Sequence, residues 1–189
     1  MIVQRPRYAM IERVVGKLLK QQGSNGPPVS VDRIAKAQGC TVKASDLRDV
    51  SGILVRSKDG NIIGVNSTHP EARRRFTIAH ELGHLMLHEG EQVHFDKEFR
   101  VSLRSNESSA GTNVEEMEAN FFAASLLMPD AMLAADPRAY SIELENVESM
   151  RELASAYKVS VQAMTLRLAR LIDRRGRSAL AVRQSTLAF

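Results

Sequence analysis

The chain has 189 residues, 43% of them hydrophobic and 25% charged, with a net charge of +4. These proportions are typical of a soluble globular protein of one domain, or one domain with a small appendage, and the charge permits nucleic-acid contact without requiring it. No apolar run is long enough for a membrane helix, so no membrane partner is expected, and no secretory signal is expected at the start. The single cysteine, Cys40, excludes internal disulfides and predicts a cytoplasmic protein.

The first third of the chain predicts two helices followed by a small antiparallel sheet. Asp59 and Gly60 lie between two β-branched runs, which is a strong signal for a β-hairpin. A breaker-rich loop at 23–28 separates the two helices. The predicted elements are helices from Tyr8 to about Gln22 and, capped by Ser30, from Val31 to Gln38, and strands at Cys40–Lys43, Gly52–Arg56 and Asn61–Asn66.

A long helix with the motif H-E-L-G-H at residues 80–84 follows the sheet. We expect it to begin near Thr68, where Thr68 and Glu71 fit a capping box. Because the helix is apolar on nearly every side, it is predicted to be buried, which makes polar groups in its middle costly unless partners satisfy them.

The motif predicts a metal centre. His80 and His84 are four residues apart, so both project from one face of the helix and can bind a single metal ion, usually zinc. Glu81 lies beside His80, within reach of a water on the metal, and is the candidate general base. His88 lies about 12 Å of rise from His80, too far to share the ion, so it either orients a ligand, lines the pocket or simply packs.

Residues 89–113 form the least regular region, which predicts either a lid over the site or a disordered insertion. A second strong helix, capped by Thr112 or Asn113, then runs from Val114 to Met128 and stops at Pro129.

The third metal ligand is expected on this second helix. A third histidine in the extended H-E-x-x-H-x-x-G-x-x-H pattern is excluded, because its glycine and histidine positions hold Leu87 and Gly90. The candidates are therefore glutamates, with His94 as an outside alternative. Glu115 and Glu118 share a face, Glu116 is expected to point elsewhere, and Glu118 is preferred because it borders the buried apolar run.

The C-terminal part predicts a helix from Val147 to Tyr157 and a second one, capped by Ser160, that runs to about Arg174. We expect residues 1–140 to form the main domain, 141–175 a helix-turn-helix-like segment packed on it, and 176–189 a loose tail. This spacing also allows a DNA-binding regulator, in which Lys158, Gln162, Arg167 and Arg170 meet DNA. The alternative is a packing stripe made of Val161, Met164, Leu168, Leu171 and Ile172.

Four stretches together resemble the ImmA/IrrE family of bacterial and phage zinc metallopeptidases. They are R-F-T-I-A-H-E-L-G-H at 75–84, L-H at 87–88, E-A-N-F-F-A-A-S-L-L-M-P at 118–129, and L-A-x-x-Y-x-V-S-x-x-A-M-x-x-R-L at 153–168. The resemblance covers roughly residues 27–173. The chain departs from the family in its long insertion between His88 and Val114, and it has no obvious C-terminal sensory domain.

The resemblance implies a mostly helical α+β fold of the zincin-like, thermolysin-like type, with one Zn²⁺ per chain on His80, His84 and Glu118 and with Glu81 as general base. It also implies a cytoplasmic endopeptidase that cleaves a helix-turn-helix (Xre-like) repressor or antitoxin, in mobile-element induction, stress response or toxin–antitoxin control. A donor for the reacting carbonyl oxygen is needed, and His88, Tyr140 and Tyr157 are the candidates. A zinc-stabilised module that holds a partner without cutting it is a further alternative.

Overall fold

The computed structural model describes residues 5–89, 92–96, 110–140 and 147–186, without the side chains of 110–113, 140 and 175–186. The fold is mostly helical α+β, as predicted, and none of the described helices is long and apolar enough to cross a membrane. The helices are α1 (Tyr8–Gln21), α2 (Val31–Ala37), α3 (Glu71–Leu87), α4 (Ala110–Leu127), α5 (Asp130–Ala135), α6 (Pro137–Tyr140), α7 (Val147–Tyr157) and α8 (Val161–Thr186). The strands are β1 (Cys40–Ser45), β2 (Gly52–Val55), β3 (Asn61–Asn66) and β4 (Val93–Asp96).

The four strands form one sheet in the order β1-β3-β2-β4. The hairpin prediction is confirmed, because β2 and β3 pair antiparallel with Gly52 opposite Val65. The predicted small antiparallel sheet is correct for the pairs β2–β3 and β2–β4 but not for β1, which pairs with β3 in parallel, Cys40 opposite Asn61. The chain reverses between β1 and β2, and β3 then inserts between them, so β1 and β3 run in the same direction.

Strand β4 lies in the segment that was predicted to be irregular. It pairs antiparallel with β2, with Gly52 opposite Asp96, and it is the last strand in the sheet order. Alternation of apolar Val93 and Phe95 with polar His94 and Asp96 is a strand signal, although four residues make a weak one. The remainder of the predicted lid or insertion, residues 97–109, lies outside the described residues.

Two predicted helix caps are wrong. Helix α3 begins at Glu71 with Pro70 as N-cap, and the Thr68 hydroxyl donates instead to Asn66 Oδ1 at 2.8 Å. Helix α4 begins at Ala110, so the predicted caps of that helix at 112–113 lie inside it.

The capping prediction for Ser160 is confirmed, since its Oγ accepts the Ala163 N–H at 3.1 Å. Helix α8 then continues to Thr186, well past the predicted end at Arg174 and through most of the expected tail.

The burial predicted for α3 is confirmed: the helix is buried almost continuously from Arg75 to His84. Gly83 sets how closely α4 approaches, because a Cβ there would lie 3.2 Å from Ala119 Cα and from Phe122 Cδ1. A residue without a side chain therefore allows the two helices to meet at the level of the H-E-L-G-H motif.

The C-terminal helices pack on the rest of the protein. Arg167 is buried, donates from Nε to the Met128 carbonyl at 3.1 Å and pairs with Asp130. The Lys158 ammonium lies 2.9 Å from a Glu71 carboxylate oxygen. Two of the four side chains proposed to meet DNA are thus used within the chain, which favours the packing interpretation. In the predicted packing stripe Met164 and Leu168 are buried, whereas Val161 and Ile172 are exposed.

Tyr157 is expected to make the protein sensitive to alkaline pH. Burial, and then the charge of Asp136, raises the pKa of Tyr157 from 10.0 to about 12. The pKa of Tyr157 is higher in the folded than in the unfolded state, so its neutral phenol contributes about 3 kcal/mol to the free energy of unfolding. This contribution is fully present below pH 10 and is lost as the pH rises towards 12. Urea unfolding of Tyr157→Phe should show a flatter decline between pH 10 and 12 than the wild type, and Tyr8→Phe should follow the wild type. An identical decline in all three proteins would contradict the assignment.

Candidate metal centre

Two histidines of α3 and one glutamate of α4 converge. The Nε2 atoms of His80 and His84 lie 3.1 Å apart, and the Glu116 carboxylate oxygens lie 3.4 Å from His80 Nε2 and 3.2 Å from His84 Nε2. Both imidazoles are buried, while the Glu116 side chain is 43% exposed. Two imidazole nitrogens and one carboxylate make the ligand set of many catalytic zinc sites, so these residues fit a metal with an open coordination position.

Glu118 is not the glutamate that meets the histidine pair. Its Oε1 accepts the Arg7 backbone N–H at 2.6 Å, and its Oε2 lies 2.6 Å from Arg7 Nη2 and 3.0 Å from His88 Nε2. The expectation that Glu116 points elsewhere is wrong, because Glu116, rather than Glu118, contacts His80 and His84. Residues two apart on a helix are separated by about 200° around its axis. The orientation of α4 against α3 therefore directs Glu116 towards His80 and His84 and directs Glu118 towards Arg7 and His88.

The charges of this cluster hold Glu116 ionised. Burial alone raises the pKa of Glu116, but hydrogen bonds with His80, His84 and His94 outweigh it and hold that pKa well below its usual range. Burial lowers the pKa of His84, whereas for His80 the hydrogen bond to Glu116 and the charge of Glu81 exceed the burial effect and raise the pKa. Metal ligation requires a deprotonated carboxylate, which Glu116 supplies.

Asn120 orients His80. Its Oδ1 lies 3.1 Å from His80 Nδ1, and an amide oxygen can only accept a hydrogen bond. The neutral form of His80, which is the form that binds a metal, therefore carries its proton on Nδ1 and has its lone pair on Nε2, the nitrogen that faces His84 and Glu116. The residue belongs to the E-A-N stretch of the sequence, but its role depends on the contact between α3 and α4.

The Glu81 carboxylate lies beside the cluster and is fully buried. Its Oε2 is 3.3 Å from His94 Nδ1, and its Oε1 has no hydrogen-bond partner among the described residues. His94 comes from β4 and also approaches Glu116, with its Nε2 3.6 Å from Oε1. Hydrogen bonds to Glu116 and then Glu81 raise the pKa of His94 to about 10. His94, the outside candidate for a ligand, thus contacts both Glu81 and Glu116.

Asp96 is a site residue that the sequence did not indicate. It lies on β4 within reach of His80 and Glu81, and the three side chains form a second buried group able to hold a cation. Burial raises the pKa of the Asp96 carboxyl. The V-H-F-D alternation of β4, which places His94 and Asp96 on one face, is the only sequence signal for it.

The three residues proposed to donate to the reacting oxygen, His88, Tyr140 and Tyr157, differ in where the structure places them. His88 follows the end of α3, is buried, and its Nδ1 lies 3.2 Å from His84 Nδ1, so it contacts His84 on the opposite side of the ring from His80 and Glu116. Tyr157 is fully buried near Asp136 and Arg138. The side chain of Tyr140 lies outside the described part of the chain.

Gly52 of β2 is expected to be indispensable for the position of Glu81. A Cβ at this position would lie 2.9 Å from Glu81 Oε1 and closer still to Thr77 Cγ2. Gly52→Ala should therefore displace the Glu81 carboxylate and destabilise the fold by about 1–3 kcal/mol, measured by urea unfolding. The matched control is Gly64→Ala on β3, where the nearest atom would be 3.7 Å away. Equal stability of the two variants would contradict the close packing of β2 on α3.

Comparison with known proteins gives a family match over most of the chain. The model of the IrrE N-terminal-like domain family matches residues 35–169. A relative, "Uncharacterized immunity region protein 2" of Bacillus phage phi105, is 30% identical over 130 residues, which span 68% of this chain and 75% of the relative. The matched region contains His80, His84 and Glu116, and also the stretches at 118–129 and 153–168. The chain therefore belongs to the ImmA/IrrE family of metallopeptidases, as its motifs predict.

Proposed function

We propose that the protein is a zinc-dependent endopeptidase with His80, His84 and Glu116 as metal ligands and Glu81 as general base. The observation that carries the proposal is the convergence of the two histidine Nε2 atoms with the Glu116 carboxylate, beside a buried and ionisable Glu81. The family supports a metallopeptidase. Zinc is proposed because two histidines and one glutamate are its usual catalytic ligands.

In this mechanism zinc, when bound, supplies Lewis-acid chemistry that activates water and polarises the scissile carbonyl. Glu81 accepts the proton of the attacking water through its carboxylate and then passes it to the leaving amine nitrogen. His94 is hydrogen-bonded to Glu81 and 30% exposed on the last strand of the sheet. We assign it to orient Glu81 and to donate to the carbonyl oxygen as that oxygen gains charge.

The substrate we propose is a cytoplasmic helix-turn-helix (Xre-like) repressor or an antitoxin. The relative's assignment to a phage immunity region favours a repressor, and hence induction of a mobile element, over a stress response or toxin–antitoxin control. Among the residues that the structure describes, strand β4 is an edge strand of the sheet, and its His94 contacts Glu81. An extended segment of the substrate can add to such an edge through backbone hydrogen bonds, which places its scissile bond beside Glu81.

The test is incubation of the protein with the repressor encoded nearest to its gene, with and without a zinc chelator. Mass spectrometry should find one cleavage site, no cleavage with chelator, and recovery after zinc is added. Binding of an intact repressor at saturating zinc would contradict the peptidase and indicate a non-catalytic zinc-stabilised module. Salt-dependent binding to duplex DNA without cleavage would instead indicate a DNA-binding regulator.

A further inference from the structure

Glu118 contacts His88, and His88 in turn contacts His84, one of the two histidines of the candidate metal centre. The Glu118 Oε2 is 3.0 Å from His88 Nε2, and His88 Nδ1 is 3.2 Å from His84 Nδ1. The opposite nitrogen of His84, Nε2, faces His80 and Glu116. The three side chains Glu118, His88 and His84 are all buried.

The direction of each of these hydrogen bonds follows from the carboxylate of Glu118. An ionised carboxylate only accepts, so His88 must donate from Nε2 to Glu118. A neutral His88 then has a lone pair on Nδ1, which can only accept from the protonated Nδ1 of His84. With its proton on Nδ1, His84 keeps Nε2 free for a metal.

We infer that Glu118 and His88 form a positioning relay that fixes the tautomer and ring orientation of His84. The inference rests on the proposed function, because it treats His84 as a zinc ligand. Metal-binding histidines usually donate their second N–H to such a partner, and losing that partner typically weakens metal binding 10–100-fold. Here the carboxylate acts through an intervening histidine, while Asn120 serves His80 directly.

Arg7 closes the far end of the relay. Its backbone N–H and its guanidinium both donate to Glu118, and its Nη2 also reaches the Leu87 carbonyl at 3.2 Å, where α3 ends. The side chain of Glu118 is only 1% exposed, and a carboxylate buried to that degree needs a partner to stay ionised. The segment that precedes α1 thus holds the last turn of α3, α4 and the relay together.

The experiment measures zinc affinity by chelator competition for the full-length Glu118→Gln and His88→Phe variants. Glu118→Gln replaces the charged acceptor by a neutral amide, and His88→Phe keeps an aromatic ring but removes both nitrogens. Each variant should bind zinc 10–100-fold more weakly than the wild type. The matched control is Glu115→Gln, which removes the same charge from an exposed position of α4 and should bind within about twofold.

Nitrogen-15 NMR of the histidine rings supplies a second readout that is independent of activity. In the zinc-loaded wild type, His84 should be protonated on Nδ1 and His88 on Nε2. A His88 protonated on Nδ1, or variants that lose thermal stability while keeping wild-type zinc affinity, would overturn the relay. Failure of the metal site itself is recognised separately, because Glu116→Gln would then also bind zinc like the wild type.

Discussion

Substitution of Glu81 by glutamine is expected to stop peptide cleavage while zinc stays bound. The amide keeps the size of the side chain but cannot accept the proton of the attacking water, and loss of a general base typically costs 10²–10⁴-fold in rate. Glu81 is not one of the three proposed zinc ligands, His80, His84 and Glu116. Cleavage of the repressor, followed by mass spectrometry, and zinc content of the purified protein are the two measurements.

The control for Glu81→Gln is Glu115→Gln, an equal change at an exposed position of α4. It should cleave at the wild-type rate and contain the same amount of zinc. Retained cleavage in Glu81→Gln would remove this residue from the role of base. Loss of zinc together with activity would mean that Glu81 acts as a ligand, with Asp96 and His80 as its neighbours in the second group.

Substitution of Glu116 by glutamine is expected to weaken zinc binding more than any other change in α4. Its carboxylate lies 3.4 Å from His80 Nε2 and 3.2 Å from His84 Nε2, so the variant loses the negative charge that faces the two histidine nitrogens proposed to bind zinc. Removal of a hydrogen-bond partner of a metal ligand typically weakens metal affinity 10–100-fold, so removal of a ligand itself should weaken zinc affinity by more than about 100-fold. Chelator competition measures the affinity, and circular dichroism checks that the helices persist.

Glu118→Gln is the discriminating comparison for Glu116→Gln. The structure predicts an order of zinc affinity in which the wild type and Glu115→Gln bind best, Glu118→Gln is intermediate and Glu116→Gln is weakest. The reverse order of the last two would make Glu118 the ligand, as the sequence alone suggested. It would also require α4 to turn so that the Arg7 contacts with Glu118 break.

Helical spacing explains why half of the site could be predicted. His80, Glu81 and His84 lie within five residues of one helix, and 3.6 residues per turn fixes their relative directions whatever packs around them. The same local reasoning predicted the burial of α3, the β2–β3 hairpin at Asp59–Gly60 and the Ser160 cap, which the structure confirms.

Strand β4, which contributes His94 and Asp96, could not be predicted from the sequence. The four residues of β4 carry too short an alternation to stand out, and they lie in a segment without other regular signals. Their place beside β2 is a long-range pairing, as is the parallel contact of β1 with β3. His94 and Asp96 thus reach Glu81 only through the sheet.

The sequence by itself determined the α+β class, the family and the two histidines with their adjacent glutamate. Only the tertiary structure decided that Glu116 faces His80 and His84 and that Glu118 contacts Arg7 and His88. Local spacing gives both glutamates a place on α4, but the choice depends on how α4 packs at Gly83 and on Arg7, which is 111 residues away from Glu118. Burial suggested a metal for Glu118, whereas the structure supplies a guanidinium, because a buried carboxylate requires a partner and does not specify which.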